Sequence, residues 1–167
     1  MQISFYVLNN NNSKVSETDA LLDFVCRLTQ TVLEKSEQTL IILDDNTNRL
    51  NQLDKQLWDL SATSFLPHDL IINKKNADSI APVILTDTLP NGFDGVVLNL
   101  ASSPLNLVHP NTKASQPAEP TSNDNPTHHP SRLLEIIPAD SEQKEKGRAK
   151  YKHYQSLGFK LDYFPIK

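Results

Sequence analysis

Basic and aromatic residues recur at helical spacing near the end of the chain. Between positions 141 and 159 the sequence reads SEQKEKGRAKYKHYQSLGF, which predicts one helix that ends at a glycine. Lys144, Arg148, Tyr151 and Lys152 are three or four residues apart, so they share one helix face. Cations beside an aromatic ring suit a ligand that is acidic and partly apolar. An acidic peptide and single-stranded nucleic acid both meet this description.

The same pattern is typical of a solvated amphipathic helix whose tyrosines pack on a sheet. The overall charge of the chain helps to choose between an acidic peptide and nucleic acid as the ligand. The chain has 16 basic and 20 acidic residues and a net charge of −4, so bulk charge would not hold it on duplex DNA. This acidic balance favours a peptide over nucleic acid as the ligand of the helix.

Large aromatic residues mark a second candidate surface. Trp58 is the only tryptophan and closes a short predicted helix, and Phe65, Pro67 and His68 follow in an irregular stretch. Aromatic side chains are most often part of the core. When they are exposed, they anchor protein interfaces, because Trp and Phe contribute much of the binding energy there. Both roles stay open for these residues.

Two acidic residues, Asp44 and Asp45, follow the apolar run TLIIL, as at the metal-binding end of nucleotide-hydrolysing sheets. A nucleotide site also needs glycines that let backbone amides surround a phosphate. The chain has only four glycines, and none of them lies in such a motif. We therefore interpret the two acids as strand termination and favourable charge at a helix start. A degenerate nucleotide-binding enzyme that uses these acids with a metal is the alternative.

The remaining reactive side chains do not form a catalytic pattern. Cys26 is the only cysteine and lies among the apolar positions of the first predicted helix, which indicates a buried thiol and excludes an intramolecular disulfide. His128 and His129 are adjacent in a Pro-rich stretch and lack a third ligand. We predict no catalytic residue, no cofactor and no metal site.

Apolar runs and helical periodicities alternate along the chain. The predicted strands cover residues 3–8, 39–43, 82–86, 95–100 and 132–137, and the predicted helices cover residues 16–35, 50–58 and 141–159. Pro67 excludes a helix interior in the irregular stretch before position 72, and the tail from position 160 is short and mixed. This order predicts an α/β fold, with a mostly parallel sheet of about five strands flanked by helices.

The length of 167 residues fits a single domain over residues 1–167. Residues 102–131 are rich in Pro, Asn, Ser and Thr and too poor in apolar residues to pack, so they predict a flexible insertion within that domain. The N-terminus has no signal-peptide pattern, and no apolar run is long enough to span a membrane. With one cysteine, these features favour the reducing cytoplasm.

Six segments carry a recognisable pattern and span most of the chain outside the insertion: FYVL, LLDFVC, LDKQLWDLSATSFLPHDL, GVVLNL, RLLEIIP and GRAKYKHYQSLGF. The patterns D-x-x-L-W…SF-x-PH-x-L and R-x-x-Y-K-x-Y-x-x-x-G-F are the most specific parts. Together the segments resemble the chi subunit family of bacterial DNA polymerase III. The resemblance implies a Rossmann-like fold without a phosphate-binding loop. It also implies a non-catalytic accessory subunit of the polymerase holoenzyme that needs no cofactor.

The resemblance further implies partners. Chi proteins pair with the psi subunit of the clamp loader and bind the acidic C-terminal tail of single-stranded DNA-binding protein, which ends in a phenylalanine. The tail site carries over onto Lys144, Arg148, Tyr151, Lys152, Tyr154 and Phe159. The psi-facing surface carries over onto Trp58, Phe65, Pro67 and His68, and in some bacteria a similar surface receives an accessory helicase. Contact with DNA would then be mostly indirect, and the protein would act in the cytoplasm at the replisome.

Overall fold

The computed structural model describes residues 2–9, 16–35, 37–59, 67–72, 81–90, 92–107 and 130–166. Within these residues the chain forms one sheet and three helices. The elements in chain order are β1 (Gln2–Leu8), α1 (Glu17–Lys35), β2 (Leu40–Leu43), α2 (Thr47–Asp59), β3 (His68–Ile71), β4 (Val83–Thr86), β5 (Val96–Asn99), β6 (Arg132–Ile137), α3 (Ser141–Ser156) and β7 (Leu161–Ile166).

The sheet has the strand order β3-β4-β2-β5-β6-β1-β7, and all of its strand pairs are parallel. The inner strands β2, β4 and β5 are buried at every position. Strands that are covered on both faces need apolar residues in succession rather than in alternation. The runs LIIL and VILT meet that need.

Helices cover both faces of the sheet. The connections from β1 to β2 and from β2 to β3 move toward one edge, whereas the connection from β6 to β7 moves toward the other. Because such crossovers are right-handed, α1 and α2 lie on one face and α3 on the opposite face. Two apolar clusters agree with this arrangement: one joins α1 and α2 to the sheet, and the other joins Tyr154 of α3 and the segment around Leu105 and Leu107 to it.

The predicted α/β class and parallel sheet are confirmed, but the sheet has seven strands rather than about five. The two strands that the sequence did not predict, β3 and β7, are the edges of the sheet. Edge strands are only partly buried, so their sequences need not be continuously apolar. In β7 most positions are exposed, and Pro165 is tolerated because an edge strand needs no complete set of backbone donors.

Two helix ends lie where the sequence predicted them, and each has capping hydrogen bonds. The Ser16 Oγ accepts a hydrogen bond from the Asp19 backbone N–H at 3.1 Å, which caps the start of α1. At the end of α3, Gly158 has a φ of 87°. The Gly158 N–H donates to the Gln155 carbonyl and the Phe159 N–H donates to the Tyr154 carbonyl, which together form a Schellman motif.

Some predictions fall outside the described residues. They include Phe65, His128, His129 and most of the predicted insertion, of which only residues 102–107 and 130–131 are described. Among the helices that are described, none is both long enough and apolar enough to cross a membrane.

Candidate functional site

A cavity of about 410 Å³ opens between α3 and the strands β1, β6 and β7. Its apolar lining comes from Phe5 and Val7 of β1, Ile137 of β6 and Tyr163 of β7. Phe5 and Tyr163 are register partners on neighbouring strands, so their side chains lie on the same face of the sheet. We call this cavity the α3 pocket.

The α3 pocket lies where the chain changes direction across the sheet. After β1 the chain leaves toward one edge, and after β6 it crosses β1 to reach the other edge. The chain therefore leaves the carboxyl ends of β1 and β6 in opposite directions, and Asn9 and Ile137 line the pocket there. Crevices of this kind are where open α/β sheets bind their ligands.

Three cations of α3, Lys144, Arg148 and Lys152, line the same pocket. Arg148 and Lys152 are exposed, and the Lys144 Nζ lies 3.5 Å from the Oδ1 of Asn9. Among the described residues, none of these cations forms a salt bridge, and no carboxylate lines the pocket. The rim therefore carries positive charge that the described part of the protein does not neutralise.

Tyr151 connects the charged rim to the apolar lining. Its ring meets the ring of Phe5 edge to face, with 5.2 Å between the centroids and 61° between the planes. This contact holds the half-buried Tyr151 ring beside the cations. The four residues that the helical spacing placed on one face thus share one pocket: Lys144, Arg148, Tyr151 and Lys152.

Gly147 explains how α3 comes so close to the sheet. A Cβ atom at this position would lie 2.7 Å from the Cδ1 and 2.9 Å from the Cγ1 of Ile137. Any larger residue would therefore push the helix away from β6. The glycine therefore allows α3 to lie close to β6, with the cations of the helix next to the apolar lining.

Tyr154 does not belong to the α3 pocket, although the resemblance implied that it binds the tail. Its side chain is fully buried on the side of α3 that faces the core. The Tyr154 hydroxyl donates to the Oε1 of Glu135 at 2.6 Å and accepts from the Leu105 N–H at 2.8 Å. Tyr154 is therefore buried away from the α3 pocket, and its implied contact with the tail stays a prediction.

Glu135 is the centre of a buried polar network beneath α3. The Lys150 Nζ lies 3.0 Å from its Oε2, and the Asn99 Nδ2 donates to its Oε1 at 2.9 Å. Lys150 also donates to the Ala101 carbonyl. Burial raises the pKa of Glu135, against the opposing effects of the Lys150 charge and the hydrogen bonds from Asn99 and Tyr154. The network joins α3 to β5, to β6 and to the chain that follows β5.

Phe159, also implied to bind the tail, does not line the α3 pocket. It follows the glycine that ends α3 and packs, half-buried, against the apolar cluster that includes Tyr154. A hydrophobic residue at this position commonly completes a Schellman motif. The position of Phe159 is therefore explained by its part in the end of α3.

Other residues of the pocket escaped the sequence analysis. Phe5, Val7, Ile137 and Tyr163 come from three strands that are distant in sequence. The alternation of Phe5 and Val7 along β1 shows that they share a face, but not which face carries α3. Tyr163 lies in a strand that was not predicted at all.

The second candidate surface lies at the opposite edge of the sheet. Trp58, at the end of α2, is 52% exposed, and its ring lies 4.4 Å from the ring of His68 on the edge strand β3. The His68 side chain is buried, and its Nε2 lies 3.0 Å from the Oδ1 of Asp54. Pro67 precedes β3 and is exposed. Trp58, Pro67 and His68 therefore lie together, whereas Phe65 lies outside the described residues.

The two acids after β2 have structural partners. Asp44 is buried and accepts two hydrogen bonds from Arg49, one of them from the Arg49 Nη2 at 2.7 Å. The Arg49 Nη2 also donates to the Leu100 carbonyl at 3.0 Å. Asp45 accepts from the Ser102 hydroxyl at 2.7 Å. Both acids therefore hold the end of β2 to α2 and to the chain after β5.

The thiol of Cys26 is fully buried, and burial, with a smaller effect from the nearby Asp23 charge, raises its pKa to about 12. Within the described part of the chain, no group of three His, Cys, Asp or Glu side chains could hold a metal ion.

Comparison with known proteins identifies the family. No curated protein matches the chain. The family model of the DNA polymerase III chi subunit, HolC, matches residues 1–162, which is nearly the whole length. With a parallel α/β sheet and a cation-rimmed pocket already described, the match shows that the chain belongs to the family of DNA polymerase III chi subunits.

Proposed function

We propose that this chi subunit is a replication adaptor, and that its α3 pocket binds the acidic C-terminal tail of single-stranded DNA-binding protein. The observation that carries the proposal is the meeting of an apolar lining with three cations that have no carboxylate partner among the described residues. A peptide that ends in a phenylalanine after several acidic residues matches both parts.

Each part of the tail has a counterpart in the pocket. The terminal phenylalanine enters between Phe5, Ile137 and Tyr163, where it removes apolar surface from water. The tail carboxylates and the C-terminal carboxylate pair with Arg148 and Lys152, which are exposed and free to reach them. Tyr151 lies between the cations and the apolar lining, so the acidic part of the peptide and its terminal phenylalanine bind on either side of this ring.

The tail should bind weakly, with a Kd of about 1–50 µM at moderate salt, because the cations are exposed and screened by solvent. Weak binding suits an adaptor that must release one tail and catch another as synthesis advances. Affinity should fall as the salt concentration rises, since salt screens the rim charges.

Calorimetric titration with a short acidic peptide ending in Asp-Phe tests this proposal at two salt concentrations. Arg148→Ala and Tyr151→Ala should each weaken binding at least tenfold, because they remove a charged partner and the ring at the pocket rim. Lys146→Ala is the matched control, since Lys146 lies on α3 outside the pocket and pairs with Glu142. A peptide whose last residue is Ala controls for the apolar part. Unchanged affinity in the Arg148→Ala variant would refute the proposal.

We also propose that the surface formed by Trp58, Pro67 and His68 binds the psi subunit of the clamp loader. The supporting observation is the half-exposed Trp58 ring, since an exposed tryptophan beside a sheet edge is a typical interface anchor. Trp58→Ala should abolish co-purification of psi without changing the melting temperature by more than a few degrees. Lys55→Ala, an exposed change on the same helix, is the control. Retention of psi by the Trp58→Ala variant would contradict this assignment. An accessory helicase is the other candidate for the same surface.

Direct binding of single-stranded DNA is the alternative function for the α3 pocket. Tyr163 is 58% exposed beside the cations, so its ring is available to stack on a base. Titration of labelled oligo-dT with the purified protein separates the two functions. Salt-sensitive binding of the oligonucleotide that is lost in Arg148→Ala would favour this alternative.

We propose that the subunit has no active site of its own and acts in the cytoplasm as part of the holoenzyme. Asp44 is buried against Arg49, so it is not free to hold a metal for a nucleotide. A thermal shift on addition of a nucleotide with Mg²⁺ would contradict this part of the proposal.

A further inference from the structure

A second cavity lies on the other face of the sheet, under α1. It measures about 390 Å³ and opens between α1 and the strands β1, β5 and β6. The side chains of Tyr6, Leu28, Val32, Val96 and Leu134 form its apolar wall. We call it the α1 cavity. It shares no lining residue with the α3 pocket.

Two cations line the α1 cavity: Lys35 from the last turn of α1 and Arg132 from the first position of β6. Among the described residues, neither forms a salt bridge, and no carboxylate lines the cavity. Two positive charges therefore face an otherwise neutral space.

The Arg132 guanidinium has an unmet need for an acceptor. Its Nε is buried and makes no hydrogen bond within the described structure. A buried donor without a partner is unfavourable, and more so when it is charged. An anion in the cavity would pair with the positive charge of the Arg132 guanidinium, which lines it, and Lys35, which is exposed at the cavity rim, would supply a second charge-assisted contact.

The size and lining of the cavity define what can accompany the anion. A space of this volume is at the lower end of small-molecule sites, and its wall is aromatic and aliphatic. A bare inorganic ion would leave that wall without contact. A third cavity, near the start of β2, is lined by Glu37 and Asp94 and by no cation, so it would repel the same ligand.

We propose that the α1 cavity binds a small organic carboxylate that carries an apolar group. The carboxylate contacts Arg132 and Lys35, and the apolar group lies against Leu28, Val32 and Leu134. This site goes beyond the tail-binding function and does not depend on it, because it uses other residues on the other face of the sheet.

Titration with 3-phenylpropionate, followed by amide NMR on the Arg148→Ala variant, tests the proposal. That background removes a cation from the α3 pocket and isolates the α1 cavity. We expect saturable shifts at the end of α1 and at residues 131–134, with a Kd of about 0.1–5 mM. Arg132→Gln should weaken binding about 10- to 100-fold, since it removes a charged donor, and the exposed Lys35→Gln about 2- to 5-fold. Arg27→Gln, an exposed change on α1 outside the cavity, should have no effect.

Further ligands separate the possible sources of the carboxylate. 3-Phenylpropionamide, which has no charge, should not bind at this site. Inorganic phosphate should compete poorly, because it lacks an apolar group. The acidic peptide ending in Asp-Phe reports whether a peptide terminus can also enter: shifts at residues 131–134 would assign a peptide source, and their absence a free small molecule.

Three results would overturn the proposal. One is the absence of saturable shifts at residues 131–134 with 3-phenylpropionate up to about 20 mM, a concentration well above the expected Kd. Another is unchanged binding in the Lys35→Gln variant and in the Arg132→Gln variant, provided that both retain the parent melting temperature. The third is binding of phosphate at this site without binding of 3-phenylpropionate.

Discussion

At the scale of single residues, Glu135 and Lys150 form an ion pair that is buried beneath α3. Both side chains are nearly or fully inaccessible to water, and each provides the opposite charge for the other. We predict that Glu135→Leu lowers the free energy of unfolding by about 3–5 kcal/mol, because it leaves the Lys150 ammonium buried without a counter-charge. Denaturant unfolding measures this loss.

The double variant Glu135→Leu/Lys150→Met is the control for that prediction. It removes both charges and should recover part of the lost stability, since a buried ion pair is often replaceable by apolar residues. The rest is not recovered, because Asn99 and Tyr154 lose their acceptor on Glu135 in both variants. Equal losses in the single and double variants would show that packing and the hydrogen bonds of Asn99 and Tyr154, and not the unpaired charge, dominate at this site.

Cys26 leads to a second prediction at this scale. Because its thiol is buried and its pKa is raised from 9.0 to about 12, very little thiolate exists in the folded protein at pH 8. We expect iodoacetamide to label Cys26 at least 100-fold more slowly in the folded protein than in urea. The contribution of this group to stability is complete below pH 9 and is lost as pH rises toward 12, since the unfolded chain releases the proton first. Rapid labelling under native conditions would contradict the burial of α1 on the sheet.

At the scale of elements, the contact of Gly147 with Ile137 sets the distance between α3 and β6. Gly147→Ala adds helix propensity of about 0.5–1 kcal/mol but introduces a Cβ that overlaps Ile137. We predict that the overlap outweighs the gain, so that the free energy of unfolding falls by about 0.5–2 kcal/mol. The displaced helix should also weaken tail-peptide binding, because the cations move away from the apolar lining.

Ile137→Val tests the physical cause of that loss. It removes Cδ1, the atom nearest to the added Cβ, and should restore part of the lost stability when it is combined with Gly147→Ala, because the two Cγ atoms stay close to the added Cβ. A more stable Gly147→Ala protein with unchanged peptide affinity would show that α3 can adjust without cost.

At the scale of the whole molecule, the two proposed partner surfaces lie at opposite edges of the sheet. The Trp58 surface adjoins β3, and the α3 pocket lies over β6, β1 and β7, so four to six inter-strand spacings, or roughly 19–29 Å, separate them. A tail and a clamp-loader subunit should therefore bind at the same time. We predict that the affinity for the tail peptide changes less than twofold when the Trp58 surface is occupied by psi, as measured by calorimetry on the complex. Mutually exclusive binding would indicate that the two surfaces are coupled or that one is misassigned.

Whether a strand could be predicted from the sequence depends on its position in the sheet. The inner strands β2, β4 and β5 are buried on both faces, so their runs of apolar residues identify them. The edge strands β3 and β7 are partly exposed, and each has a proline in it or directly before it. Nothing in such a local pattern distinguishes them from loops, because their stability comes from pairing with one neighbour.

The residues of the candidate site also differ in whether the local sequence could predict them. Helical periodicity alone brought Lys144, Arg148, Tyr151 and Lys152 onto one face, since residues three or four apart on a helix are neighbours whatever surrounds them. It did not reveal that Tyr154 points into the core, because a tyrosine near cations suits either side of an amphipathic helix. The partner of its hydroxyl, Glu135, comes from a different strand.

The sequence by itself therefore determined the elements whose pattern is local: the inner strands, the three helices, the start of α1, the glycine that ends α3 and the charged face of α3. Only the tertiary structure decided which residues lie opposite that face. The apolar lining of the α3 pocket is assembled from β1, β6 and β7, which are neighbours because β1 pairs with both of the other strands and not because the three are close in the chain. A helix face becomes a pocket only when such strands lie beneath it, and their arrangement depends on long-range contacts that no local spacing encodes.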